Sequence, residues 1–156
     1  MRNIGFGLLI LALLSACTGP SSADIEQAQQ TLPAFFDHLN KGEYALAAEL
    51  YGGSYEILID HNPSVDPNDH ATLWQHACTI NGAQCLTIRS IRLKDYHGGT
   101  FLFTVEFNNP DDSLFVQGPC CGGNETDSPP ASTFDYMVTK TPDGKFKVMD
   151  LPVYIP

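Results

Sequence analysis

The chain has 156 residues, of which 43% are hydrophobic, so it is long enough to form one domain with a sizeable core. Its 8 basic and 18 acidic residues give a formal net charge of −10 at pH 7. A surface of this sign repels phosphate backbones, so a nucleic acid is not expected as a partner. It also repels anionic lipid head groups, so the folded part is not expected to bind a membrane surface by itself.

The N-terminus has the pattern of a bacterial export signal. One basic residue, Arg2, precedes an apolar run over residues 4–14, and the small residues Ser15 and Ala16 then lead to Cys17. The run is too short for a helix that spans a bilayer core of about 30 Å. This segment resembles the lipobox of bacterial lipoproteins. The alternative is an ordinary secretory signal with a cysteine placed there by chance.

The lipobox resemblance implies cleavage after a signal peptide of residues 1–16 and attachment of acyl chains, including palmitate, to Cys17. Residues 17–23 would then form a lipidated tether rich in small residues. Thr18 occupies the position after the cysteine, where an Asp would signal retention in the inner membrane. The resemblance therefore implies a cell-envelope lipoprotein, facing the periplasm from the outer membrane if the host has one.

Two helices are predicted after the tether. Hydrophobic residues recur every three or four positions from Ile25 to Leu39. Pro33 interrupts the pattern, so the helix either kinks there or begins near it. Gly42 is a natural stop. The same spacing predicts a second helix over residues 43–51.

A short strand and a third helix are predicted next. Residues 55–59 are predicted to form the strand. Asp66 is predicted to cap the helix, with Pro67 in its first turn and Asp69 at the positive end of its dipole. The helix would end at about Cys78. Its predicted buried residues are Leu73, Ala77 and Trp74.

From residue 86 onward the hydrophobic period is two, which is typical of β-strands. The pairs 86/88 and 91/93 have opposite parity, so a β-bulge near Ser90 is predicted. The clearest strand alternates large apolar residues with other types, and its apolar face is predicted to be core: Phe101, Phe103, Val105 and Phe107.

Phe134, Tyr136 and Val138 repeat this alternation, and a turn at 141–144 leads to a last arm at 146–151. A Pro-, Gly- and Asp-rich insertion at about 108–132 separates these strands from the earlier ones. Within that insertion only residues 114–116 have a strand pattern.

Helices followed by antiparallel strands indicate an α+β domain over residues 24–156. The segment Phe35–Ala48, in which a helix, a Lys-Gly-Glu-Tyr turn and an Ala-rich helix follow one another, resembles the opening of NTF2-like (cystatin-like) domains. The resemblance implies N-terminal helices packed on a curved antiparallel sheet that forms a cone. The Cys-rich insertion departs from the short strand connections of that superfamily.

Four cysteines remain beside Cys17, and an even number outside the cytosol indicates disulfides. Cys78 and Cys85 flank a turn that contains Asn81-Gly82, which favours a local bridge between them. Cys120 and Cys121 would then be a strained adjacent disulfide or a pair of thiols. The alternative is that Cys78 and Cys85 each pair with one of these two.

The histidines do not form a compact metal motif. His61 and His70 flank a loop with Asp60, Asp66 and Asp69, but the spacing is irregular and the last two carboxylates have capping roles, so no metal site is predicted. His70 and Trp74 are expected to stack on one helix face, with His76 off that face. His38 is expected at a rim or on the surface.

The polar parity of the strands carries Glu106 and Asp135, which are interpreted as part of a solvated sheet face. No catalytic residue is assigned, and no cofactor is expected. The sequence favours a non-catalytic binding or assembly module over an enzyme. The expected partners are the membrane, through the lipid on Cys17, and a small apolar ligand or an envelope protein. The alternatives are a small cavity enzyme of NTF2-like type and a thiol-redox protein.

Overall fold

The helices come first and the strands follow in a computed structural model that describes residues 19–119, 126 and 129–155. The helices are α1 (Ser22–Asn40), α2 (Tyr44–Leu50), α3 (Glu56–His61) and α4 (His70–Thr79). The strands are β1 (Thr87–His97), β2 (Thr100–Asn108), β3 (Phe134–Lys140) and β4 (Phe146–Val148). The α+β class predicted from the sequence is therefore confirmed.

Helix α1 has 19 residues and starts inside the predicted tether. Ser21 caps it, because the Ser21 hydroxyl accepts a hydrogen bond from the Asp24 N–H at 3.1 Å. Pro33 lies inside the helix, so a start near Pro33 is ruled out. The helix stops at Asn40, just before Gly42, whose φ of 76° suits glycine.

The strand predicted over residues 55–59 is wrong, because this segment lies mostly within α3. The Ser54 hydroxyl accepts a hydrogen bond from the Glu56 N–H at 3.2 Å, and the Ile59 N–H donates to the Tyr55 carbonyl at 2.9 Å. Leu58 is buried on the inner side of this short helix. Over so few residues, packing and local hydrogen bonds overrule β-propensity.

Helix α4 is capped by Asp69 and not by Asp66, which corrects the predicted start. Asp69 Oδ1 accepts a hydrogen bond from the Thr72 N–H at 3.1 Å. Asp66 Oδ1 instead accepts the Asn68 N–H at 2.8 Å and closes a turn before the helix. The predicted buried residues of this helix are confirmed: Leu73, Trp74 and Ala77.

The sheet is antiparallel and open, with the strand order β1-β2-β3-β4. The register of β1 against β2 shifts between Ile88 and Ser90, which confirms the predicted bulge, and shifts again between Leu93 and Asp95. In the β2–β3 ladder Phe103 is opposite Tyr136.

The last strand is shorter than the predicted arm. It ends at Val148, because the Asp150 carboxylate then accepts the Met137 N–H in place of a backbone carbonyl. The strand pattern at residues 114–116 gives only an isolated bridge between Leu114 and Asn108. A second bridge, Gln117 with Ala131, closes the described part of the insertion.

The core fills the space between α1 and the sheet. All four predicted core residues of β2 are at most 1% exposed. The Phe36 ring packs against Phe107 with 4.8 Å between ring centres and against Tyr136 with 5.1 Å. Phe35 packs edge-on to Trp74 at 5.4 Å. Aromatic side chains therefore fill the interior between α1 and the sheet.

Candidate binding site

An apolar cavity of about 210 Å³ lies between α3, α4 and the C-terminal segment 151–155. The helices supply Leu58, Trp74 and Ala77, which are at most 5% exposed. Ile57 and Tyr154 also line the cavity, and these are 55% and 48% exposed. The inner lining is therefore buried and apolar, and the cavity continues into apolar surface that solvent reaches.

The cavity lies at the end of the molecule where α1 ends. The Asn40 side-chain amide donates a hydrogen bond to the Cys85 carbonyl at 3.0 Å, close to the lining residue Ala83. At the other end of α1, Asp24 forms an ion pair with Lys140 at 2.7 Å. The two ends of α1 therefore contact different parts of the domain, Cys85 near the cavity and Lys140 at the end of β3.

A chain of aromatic contacts fixes Trp74 in the cavity wall. Its Nε1–H donates to the Tyr55 hydroxyl at 3.1 Å. The Tyr55 ring in turn stacks on His70, with ring centres 3.8 Å apart and planes 8° from parallel. The predicted stack of His70 on Trp74 is therefore wrong, because Tyr55 takes the place of Trp74 beside His70.

The turn after α4 forms another part of the wall. Cys78 and Cys85 lie at disulfide-bonding distance, with their Cα atoms 5.6 Å apart. Within the turn, Gly82 has a φ of 84°, and its carbonyl accepts the Ile155 N–H at 3.0 Å. A Cβ at this position would overlap the Ile155 carbonyl oxygen. Glycine therefore lets the C-terminal segment lie against the turn.

A buried hydrogen-bond pair joins α3 to α4 beside the cavity. The Asn62 amide donates to the Leu58 carbonyl at 2.7 Å, and its Oδ1 lies 2.9 Å from His76 Nδ1. Because Asn62 Oδ1 can only accept, His76 Nδ1 carries the proton in this contact. His76 thus has a structural partner, away from the His70 side of the helix.

One polar atom beside the cavity has no partner. Asn81 lines the cavity, and among the described residues its side-chain Nδ2 is buried without a hydrogen-bond acceptor. A buried amide donor that lacks an acceptor is uncommon in folded proteins and calls for an explanation. A bound carbonyl oxygen would supply the missing acceptor.

A second group of ionisable side chains lies outside the cavity lining. Burial raises the pKa of Asp150, although the hydrogen bond from the Met137 N–H opposes this shift. Burial also raises the pKa values of Tyr51 and Tyr136 well above their ordinary range, with a smaller contribution from the Asp150 charge. None of these three residues is among those that line the cavity.

The carboxylates predicted on the solvated sheet face have local partners. Asp135 contacts the Lys94 ammonium and accepts a hydrogen bond from the Thr104 hydroxyl at 2.9 Å. The Lys94 contact holds the pKa of Asp135 below its usual range. Glu106 accepts from the Ser90 hydroxyl at 2.7 Å. These contacts assign the two carboxylates to the sheet surface.

The remaining predicted polar residues are not brought together. Within the described part of the chain, no group of three or more His, Cys, Asp or Glu side chains is placed to hold a metal ion. Asp66 and Asp69 cap backbone groups, and His38 pairs with Glu43 at 2.7 Å.

Cys17, Cys120 and Cys121 lie outside the described residues. The lipid attachment and the thiol or disulfide pair therefore stay predictions. Among residues 19–119, 126 and 129–155, no helix has both the length and the apolar character needed to cross a bilayer.

Sequence reasoning missed the exposed apolar residues of the site, above all Ile57 and Tyr154. Ile57 falls in the segment predicted to be a strand, and Tyr154 follows the last predicted element. The signals that were present are the turn dipeptide Asn81-Gly82 and the apolar segment 151–155.

In comparisons with known proteins, no family model matches the chain and no curated protein is significantly similar to it.

Proposed function

We propose that this protein is a membrane-anchored extracytoplasmic lipoprotein whose NTF2-like domain is a non-catalytic binding module. The observation that carries the proposal is the contrast between the filled interior under the sheet and the apolar cavity between α3, α4 and the segment 151–155. Phe36, Phe107 and Tyr136 occupy the space between α1 and the sheet, where an enzyme of this superfamily would hold its substrate.

The chemistry of the cavity supports binding over catalysis. General acid–base catalysis needs positioned ionisable groups on the floor of a site. Here the buried lining consists of Leu58, Trp74, Ala77 and Pro152, while the ionisable lining residues His61 and Tyr154 are exposed. An apolar lining with few polar groups is typical of a pocket that holds a small ligand or a side chain.

The size of the cavity limits its occupant. A cavity of about 150 Å³ with an apolar lining can bind benzene, and drug-sized ligands need roughly 300 Å³ or more. A cavity of about 210 Å³ therefore suits one aromatic ring or a short alkyl chain. The occupant is a group of that size, either free or carried by a larger partner.

The lipid anchor is tested by labelling cells with radioactive palmitate. We expect label on the wild-type chain and on Thr18→Ser, and no label on Cys17→Ser. Equal labelling of all three chains would contradict the lipoprotein assignment. If the host has an outer membrane, Thr18 implies attachment there, and fractionation of the wild-type chain with inner-membrane vesicles would contradict that location.

Binding is tested by the fluorescence of Trp74, which is the one tryptophan of the chain and lines the cavity. We expect benzene to perturb the emission of the unlipidated Cys17→Ser chain in a saturable way. Adding Ala83→Leu fills the cavity and should abolish the response. Ala34→Leu adds the same volume on α1, away from the cavity, and should preserve it. A response that is unaffected by Ala83→Leu would sink the proposal.

A further inference from the structure

The helices that form one wall of the cavity carry charge of a single sign. No Lys or Arg occurs between Lys41 and Arg89, the stretch that contains α2, α3 and α4. The same stretch contains six carboxylates, all exposed: Glu43, Glu49, Glu56, Asp60, Asp66 and Asp69. This layer is therefore acidic without internal compensation by Lys or Arg.

Two of these carboxylates lie on the cavity helix itself. Glu56 and Asp60 belong to α3, which supplies Ile57 and Leu58 to the lining. Among the described residues neither carboxylate forms an ion pair. Both stay available to a cation that approaches the cavity from solvent. Unpaired charges beside an apolar pocket select partners by electrostatic complementarity.

The apolar surface extends beyond the cavity. Ile57 and Tyr154, which both line the cavity, are about half exposed. A small free ligand inside the cavity would leave these side chains in water. A protein segment that inserts one side chain can cover them as well, and exposed apolar surface of this kind marks protein interfaces.

The unpartnered Asn81 amide also favours a peptide. Its Nδ2–H needs an acceptor, and every residue of a partner segment brings a backbone carbonyl that can accept. A plain alkyl chain or a hydrocarbon ring has no such group. The lining thus offers an apolar pocket, a donor and an acidic surround in one place.

The position of the cavity points away from the anchor. Cys17 precedes α1, and a helix of 19 residues is about 28 Å long. The cavity lies at the opposite end, where Asn40 contacts Cys85. A membrane that held Cys17 would lie beyond the N-terminal end of α1. A partner at the cavity would therefore approach the domain from the side that faces away from that membrane.

We propose that the cavity is the docking site for a segment of a partner protein in which basic side chains flank one aromatic or aliphatic side chain. The apolar side chain enters the cavity, the basic groups meet the carboxylates of α3, and a backbone carbonyl accepts from Asn81. This inference rests on the proposed binding function and specifies the chemistry of its partner.

The test uses the full-length Cys17→Ser chain and a capped heptapeptide, Lys-Lys-Gly-Phe-Gly-Lys-Lys, which lacks tryptophan. We expect saturable perturbation of Trp74 emission by this peptide. Replacing its Phe by Ser should weaken binding about ten-fold or more, because the pocket loses its anchor. Replacing its four Lys by Glu should abolish binding. Raising the salt from about 0.01 M to about 1 M should also weaken binding, since the screening length falls from about 30 Å to about 3 Å.

Variants of the protein locate the effect. Glu56→Lys/Asp60→Lys changes only exposed side chains and should weaken peptide binding several-fold. Glu26→Lys/Asp95→Lys makes the same change of net charge on α1 and β1 and should leave binding unchanged. Thermal unfolding of both double variants checks that each is folded. Equal weakening by the two pairs would overturn the inference, because it would show attraction to net charge alone.

The other occupants of the cavity are separate outcomes. If benzene binds but the basic peptide has no advantage over its Ser form, the binding function stands and the protein-segment inference falls. If Ala83→Leu dissociates a dimer of the free protein in sedimentation, the cavity belongs to a second copy of this chain. If neither benzene nor the peptide perturbs Trp74, the proposed function itself fails.

Discussion

The two main apolar regions of this protein, the α1–β2 interior and the cavity end, differ in how completely their side chains are covered. In the interior, Phe36 and Phe103 are fully buried between a long helix and a central strand. At the cavity end, short helices and the irregular segment 151–155 leave Ile57 and Tyr154 half exposed. Continuous elements of regular structure close a core, whereas short elements leave apolar surface available for a partner.

The largest expected effect is in the closed region. Phe103→Ala should destabilise the protein by about 3–5 kcal/mol, because a fully buried ring leaves a cavity behind. Leu102→Ala is the matched control, since Leu102 lies on the opposite face of β2 and is partly exposed. Urea unfolding measures both variants. A loss below about 1 kcal/mol in the free energy of unfolding of Phe103→Ala would show that the burial of this ring contributes little to stability.

The cysteine pair beside the cavity should have the next largest effect. Replacing Cys78 and Cys85 by Ser should destabilise the folded state by roughly 2–3 kcal/mol, because the bridge restricts the unfolded chain. Peptide mapping without reductant checks the pairing directly. A Cys78 peptide linked to Cys120 or Cys121 would contradict the local pairing and show that the disulfide joins the end of α4 to the insertion.

Gly82 tests whether the cavity end can open while the core stays closed. Gly82→Ala should destabilise the protein by only about 1–2 kcal/mol, the cost of a left-handed backbone for a residue with a Cβ. The clash with Ile155 can be relieved by release of the segment 151–155 from the turn, so the main result should be loss of benzene binding. Gly98→Ala has the same kind of φ but open space around its Cβ, and should keep binding. Equal loss of benzene binding in Gly82→Ala and Gly98→Ala would show that the segment 151–155 is not part of the binding site.

The sequence predicted the closed region well and the open region poorly, for a physical reason. Alternation over residues 101–107 and helical spacing over residues 25–39 each recur several times, so periodicity identifies the buried face. Helix α3 has 6 residues, too few for a period to appear, and its helical state depends on packing of Leu58. Tyr154 reaches the cavity through contacts with distant residues such as Ala83, which no local pattern encodes.

The smallest expected effects are those of pH, and they should have opposite signs in the two regions. Lys140 lowers the pKa of Asp24 at the start of α1, so the ionised form stabilises the fold. This stabilisation is present above the unfolded pKa of about 3.9 and is lost as the pH falls through the lower folded value. Asp24→Asn should therefore be less stable than wild type at neutral pH, and the gap should close in acid.

Asp150 precedes the segment that lines the cavity, and burial raises its pKa. Its protonated form is favoured by folding, so its contribution is present below the unfolded pKa and is lost as the pH rises through the folded value. Asp150→Asn should therefore gain stability relative to wild type between acid and neutral pH, while the Asn can still accept the Met137 N–H. Urea unfolding of Asp24→Asn and Asp150→Asn at several pH values measures both trends. Parallel trends in the two variants would show that net charge, and not the different environments of the two carboxylates, governs the acid response.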